Sequence, residues 1–84
     1  MWKVAVNKLV KRKLERIPNP DRERIKQALR DLESKPETLD IKPLTGREAY
    51  RLRVGNWRLL MDVYEEEKIF SIYMLAPRGD VYKK

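Results

Sequence analysis

Neither cysteine nor histidine occurs anywhere in this chain of 84 residues. The missing thiols exclude disulfides, thiolate metal sites and cysteine nucleophiles, and such a composition is usual inside the cell. The missing imidazoles exclude Ser-His-Asp and Cys-His catalysis, paired-His acid–base chemistry and His-based metal sites. No apolar run approaches the roughly 18 residues of a membrane-spanning helix. The opening MWKVAVNKLVKRK lacks the continuous apolar segment of a signal peptide. A cytoplasmic location with no membrane partner is therefore expected. Any chemistry must use Arg, Lys, Tyr or carboxylates, with no metal and no small-molecule cofactor expected.

What is abundant is positive charge. The formal charge is +7 and the sequence pI about 9.9, which favours an anionic partner, nucleic acid first. Lys- and Glu-rich surfaces also occur in thermostable proteins, so charge alone leaves that choice open. The length fits a single domain, 1–84, that buries only about 60% of its unfolded surface.

Along the chain, Trp2, Val4 and Val6 alternate with Lys3 and Ala5 as a short first strand. From Asn7, a candidate N-cap, the period becomes helical: Val10, Leu14 and Ile17 form a stripe with Leu9 alongside, and Pro18 ends it. Lys8, Lys11, Arg12, Lys13 and Arg16 cover the remaining surface. That surface is either a solvated helix face or a contact surface for RNA phosphates. Asn19, Pro20 and Asp21 read as cap, first helical residue and first-turn acid of a second helix. Its stripe is Ile25, Ala28, Leu29 and Leu32, and it runs to about Ser34. The short connection predicts neighbouring antiparallel helices.

Residues 35–48 contain Pro36, Pro43 and Gly46 without a sustained period, and read as an ordered connector pinned by Leu39, Ile41 and Leu44. A hairpin follows, with Gly55-Asn56 as its two-residue turn. Its register puts Val54 opposite Trp57, Arg53 opposite Arg58, Leu52 opposite Leu59, Arg51 opposite Leu60 and Tyr50 opposite Met61. Alternation then assigns Tyr50, Leu52, Val54, Trp57, Leu59 and Met61 to one face and Arg51, Arg53 and Arg58 to the other. Like charges directly opposite one another repel, and an anion between them would relieve the repulsion. Glu65, Glu66 and Glu67 form an acidic turn. The last strand, 69–76, carries Phe70, Ile72 and Met74 on one parity and Ile69, Tyr73 and Leu75 on the other, the pattern of a central strand covered at least in part on both faces. The expected fold is α+β, in the order β-α-α-β-β-β, with the helices on one face of a mostly antiparallel sheet.

Arginine suits phosphate because its planar fork makes paired hydrogen bonds and stays charged at physiological pH. The Arg51, Arg53 and Arg58 face is thus either a phosphodiester groove or a solvated surface. Arg78 and Tyr82 follow the last strand and could reach the end of the same face, Tyr82 as a group for stacking on a base or handling a proton.

The element order, the run YRLRVGNWRLLMDVY and the ending LAPRGDVY resemble the RelE group of the RelE/ParE toxin superfamily over nearly the whole chain. The resemblance implies a type II toxin–antitoxin toxin: a ribosome-dependent endoribonuclease, or mRNA interferase, that cuts mRNA at the A site and is restrained by a RelB-like antitoxin. It also implies attack of the ribose 2′-OH on the adjacent phosphate, without metal. In that picture Arg53 and Arg58 stabilise the phosphorane, Arg78 assists the leaving oxygen, and Tyr82 orients or deprotonates the nucleophile. Lys8, Lys11, Arg12, Lys13 and Arg16 become candidate contacts to ribosomal RNA. Such sites commonly carry Lys where Arg51 and Arg53 stand here, and Arg stays protonated to above about pH 12. Arg51 therefore holds substrate and is a poor general base. Two other functions share this scaffold or this charge: a ParE-like inhibitor of DNA gyrase, and a non-catalytic RNA-binding module.

Overall fold

The computed structural model describes residues 1–46 and 49–77. Strand β1, Lys3–Val6, leads into helix α1, Lys8–Glu15, and helix α2, Asp21–Ser34. A single tight helical turn, Pro36–Thr38, precedes β2, Asp40–Pro43; β3, Ala49–Val54, β4, Trp57–Tyr64, and β5, Ile69–Pro77, complete a five-stranded sheet in the order β1-β5-β4-β3-β2. β1 runs parallel to β5, and every other pairing is antiparallel. No helix among the described residues is long and apolar enough to cross a membrane.

Local chemistry explains the first helix. Asn7 caps it, its side-chain oxygen accepting from the Leu9 amide at 2.7 Å, which satisfies one of the otherwise orphaned first-turn donors. Val10, Leu14 and Ile17 are buried, while Leu9 points away from the core at 70% exposure. The start of α2 differs from the expected cap. Pro20 rather than Asn19 occupies the N-cap position, no side chain caps the helix, and the Pro18 and Pro20 carbonyls accept from the Arg22 and Arg24 amides. Ile25, Ala28 and Leu32 are buried, as their spacing requires.

Both helices lie on the same sheet face, α1 against β5 and α2 against β1 and β3. Between helices and sheet, Leu52, Leu59, Met61, Phe70, Ile72 and Leu75 join the helical stripes in one apolar core. Trp2 stacks on Phe70 with ring centroids 4.4 Å apart, closing the β1 side.

Two features depart from the expected pattern. The connector contains a strand, β2, paired with β3 so that Asp40 meets Arg53 and Ile41 meets Leu52. Pro43 is tolerated there because β2 is an edge strand, with one side free of ladder bonds. The other departure is a bulge: Leu60 faces Met74 but Met61 faces Ile72, leaving Tyr73 as an extra residue on β5. The bulge switches the parity of β5, so Leu75 joins Phe70 and Ile72 in the core while Met74 is exposed. β5 is an interior strand, and the middle of the sheet is β4.

Candidate functional site

The hairpin joining β3 to β4 turns through Gly55 at φ +57°, the left-handed region that glycine enters without steric cost. Its register pairs Val54 with Trp57, Arg53 with Arg58, Leu52 with Leu59, Arg51 with Leu60 and Tyr50 with Met61. Leu52, Leu59 and Met61 are fully buried beneath the helices. The opposite sheet face therefore receives Arg51, Arg53 and Arg58.

Those arginines are not equally open. Arg53 has 44% of its side chain exposed and Arg51 only 16%. Arg58 is the one buried charged residue among those described, at 2% exposure. Its Nη1 donates to the Trp57 carbonyl across a long 3.4 Å, and its buried Nε has no hydrogen-bond partner among the described residues. No carboxylate among the described residues lies within ion-pair distance of it. With little water around this guanidinium, its field is weakly screened.

Asp40, the first residue of β2, was no part of the sequence-derived site. Its Oδ2 accepts from Arg53 Nε at 2.8 Å, and its Oδ1 lies 3.8 Å from Arg51 Nη2. An internal carboxylate thus relieves part of the repulsion that the Arg53 and Arg58 pairing creates. The ladder makes this contact, since Asp40 and Arg53 are direct register partners.

Lys8, Lys11, Arg12 and Lys13 on α1 and Arg16 at its C-cap are all exposed. Arg12, Lys13 and Arg16 border a cavity of about 540 Å³ whose apolar wall is Leu9, Ile17 and Trp57. This surface adjoins the helix side of the hairpin, whereas Arg51, Arg53 and Arg58 belong to the other sheet face. The two basic surfaces are therefore separate. Arg78 and Tyr82 lie outside the described residues. Among the described residues no group of His, Cys, Asp and Glu is assembled that could hold a metal ion.

No family model matches the chain. A protein of Methanocaldococcus jannaschii that carries the name toxin RelE1 is 30% identical over 86 aligned positions, covering 98% of this chain and 96% of that protein. Among solved structures, the archaeal RelE–RelB complex of Pyrococcus horikoshii OT3 contains a chain with 27% identity and a TM-score of 0.76, over 93% of this chain and 96% of its own. The RelBE2 toxin–antitoxin complex of Mycobacterium tuberculosis contains one with a TM-score of 0.78 over 92% of this chain and 98% of its own. At 22% identity, that second likeness is one of fold.

Proposed function

This chain belongs to the RelE family, and from that premise we propose that it is the toxin of a type II toxin–antitoxin pair, a ribosome-dependent endoribonuclease that cuts messenger RNA at the A site. The observation that carries the catalytic part is Arg58, buried at 2% exposure without a carboxylate partner among the described residues, directly across the hairpin from Arg53. Burying an uncompensated cation is costly. A phosphorane intermediate gains negative charge during the reaction, and a fixed positive charge that needs no reorganisation favours that state over the ground-state diester.

In the reaction the ribose 2′-oxygen attacks the adjacent phosphorus, forming the new P–O bond of a cyclic phosphate. The bond to the 5′-oxygen breaks, and that oxygen leaves with a proton as a free hydroxyl. Arg53 and Arg58 stabilise the phosphorane, and Arg51 holds the diester. Arg78 assists the leaving oxygen. Tyr82 orients or deprotonates the 2′-OH, a group present in RNA and absent from DNA. Arg51 is a poor general base, because a guanidinium holds its proton tightly. Lys8, Lys11, Arg12, Lys13 and Arg16 contact ribosomal RNA through phosphates. The partner that restrains the toxin is a RelB-like antitoxin, a reading supported by the RelE–RelB complex of the Pyrococcus horikoshii relative.

Adding the purified protein to a reconstituted translation reaction and mapping mRNA 3′ ends tests this reading. New ends should appear within the codon in the ribosomal A site, and should require ribosomes. Intact message in the presence of folded protein at saturating concentration rejects it.

A further inference from the structure

We infer that Asp40 is a positioning residue for Arg53, holding the guanidinium by its Nε edge so that its Nη edge is presented to a phosphate. The inference rests on the ribonuclease reading above and adds to it a residue from an element outside the sequence-derived site.

A guanidinium has an N–H on Nε and further N–H groups on Nη1 and Nη2, and it accepts no hydrogen bonds. Arg53 gives its Nε–H to Asp40 Oδ2 at 2.8 Å. Neither Nη atom has a hydrogen-bond partner among the described residues, and the side chain is 44% exposed. The outward part of the fork is therefore free to bind an anion, while the inward part is fixed. Asp40 itself is anchored, because it lies in the β2 ladder directly opposite Arg53 and its other oxygen faces Arg51 Nη2 at 3.8 Å.

Such a contact adds little to stability. Pairs this exposed are weakened by solvent screening. Its effect on Arg53 is orientational. A free arginine side chain carries rotamer entropy, part of which must be lost each time the fork closes on phosphate. A carboxylate that has already restricted Arg53 lowers that cost at the reacting centre. The same carboxylate adds a unit of negative charge to the face and so weakens long-range attraction for RNA. Positioning and charge thus act in opposite directions, and they separate experimentally.

The test is single-turnover cleavage of mRNA on programmed ribosomes, with full-length wild type, Asp40→Asn and Asp40→Ala. Asp40→Ala should lower the rate at saturating protein by about tenfold without raising the half-saturating concentration, since the face becomes more positive. Asp40→Asn, which keeps an acceptor for Nε, should recover most of the rate. The Arg53 Nε–H resonance in a nitrogen–proton correlation spectrum should shift and exchange faster with solvent in Asp40→Ala and less so in Asp40→Asn, a readout independent of cleavage. Saturated rates equal to wild type in both variants would overturn the inference and leave the ribonuclease reading standing. An Arg53 resonance unchanged in Asp40→Ala would also overturn it. If the wild type itself cuts no message, the ribonuclease reading fails and the positioning role fails with it.

Discussion

Trp57 and Asp21 are 36 positions apart and are joined by a hydrogen bond, the indole Nε1 donating to Asp21 Oδ2 at 3.0 Å. The bond ties the first residue of β4 to the first residue of α2. It turns Asp21 from a simple first-turn acid into a fastening between hairpin and helix. Trp57→Phe keeps most of the apolar contact and removes the donor, and should destabilise the fold by about 1 kcal/mol. Urea unfolding of Trp57→Phe, Asp21→Ala and the double variant measures it. A coupling energy near zero would show that the two side chains act independently.

The turn makes a sharper prediction about the backbone. At Gly55, φ is +57° and an added Cβ would meet nothing within 4 Å, so the cost of a side chain there is conformational alone. Gly55→Ala should cost about 1–2 kcal/mol through the left-handed backbone, while Gly55→Asn should cost less, because Asn tolerates that region. Chemical denaturation of both variants decides it. Equal losses for Ala and Asn would point to a cause other than φ.

The hairpin was legible because two independent signals agree there. Strict alternation in residues 50–54 sets the faces, and Gly55-Asn56 sets the register. β2 was not legible: its pattern spans only Asp40 to Pro43, half its residues are charged, and it ends in proline. The loss mattered for the site, since the Asp40 contact with Arg53 depends on β2 being a strand. β5 was legible as an interior strand but not in its facing, because apolar residues on both parities conceal the one-residue shift at Tyr73. Alternation likewise placed Arg58 on the arginine face but carried no information about depth. Its burial depends on tertiary packing, and periodicity reports only direction.

Depth changes what is expected of Arg58 substitutions. A buried ionic side chain replaced by an apolar one of similar volume commonly leaves stability unchanged or raises it. Arg58→Met should therefore unfold at the same or a higher urea concentration than wild type. If the guanidinium stabilises the phosphorane, the same variant should lose about 100- to 1000-fold in single-turnover cleavage rate. Arg58→Ala is a less clean test, because it also leaves a cavity. An Arg58→Met protein that is stable and cuts mRNA normally would remove Arg58 from the catalytic set.

The basic face of α1 should act by a different physical route from the hairpin arginines. Lys11 and Arg12 are exposed, and both belong to the set expected to meet ribosomal RNA. Charges that contact phosphates release counterions, and each contact contributes about 0.7–0.9 to the slope of log affinity against log salt. Lys11→Gln combined with Arg12→Gln should therefore weaken ribosome binding mainly at low salt and reduce the slope by roughly 1–2. The melting temperature should hardly move, because exposed charges of this kind contribute little to stability. On mRNA already loaded into ribosomes at saturating protein, cleavage should proceed at the wild-type rate, since α1 lies on the helix side of the sheet, away from Arg53 and Arg58. A double variant with an unchanged salt slope would assign this face to ordinary solvation. One with a slower saturated rate would show that α1 orients the protein on the ribosome as well as attracting it.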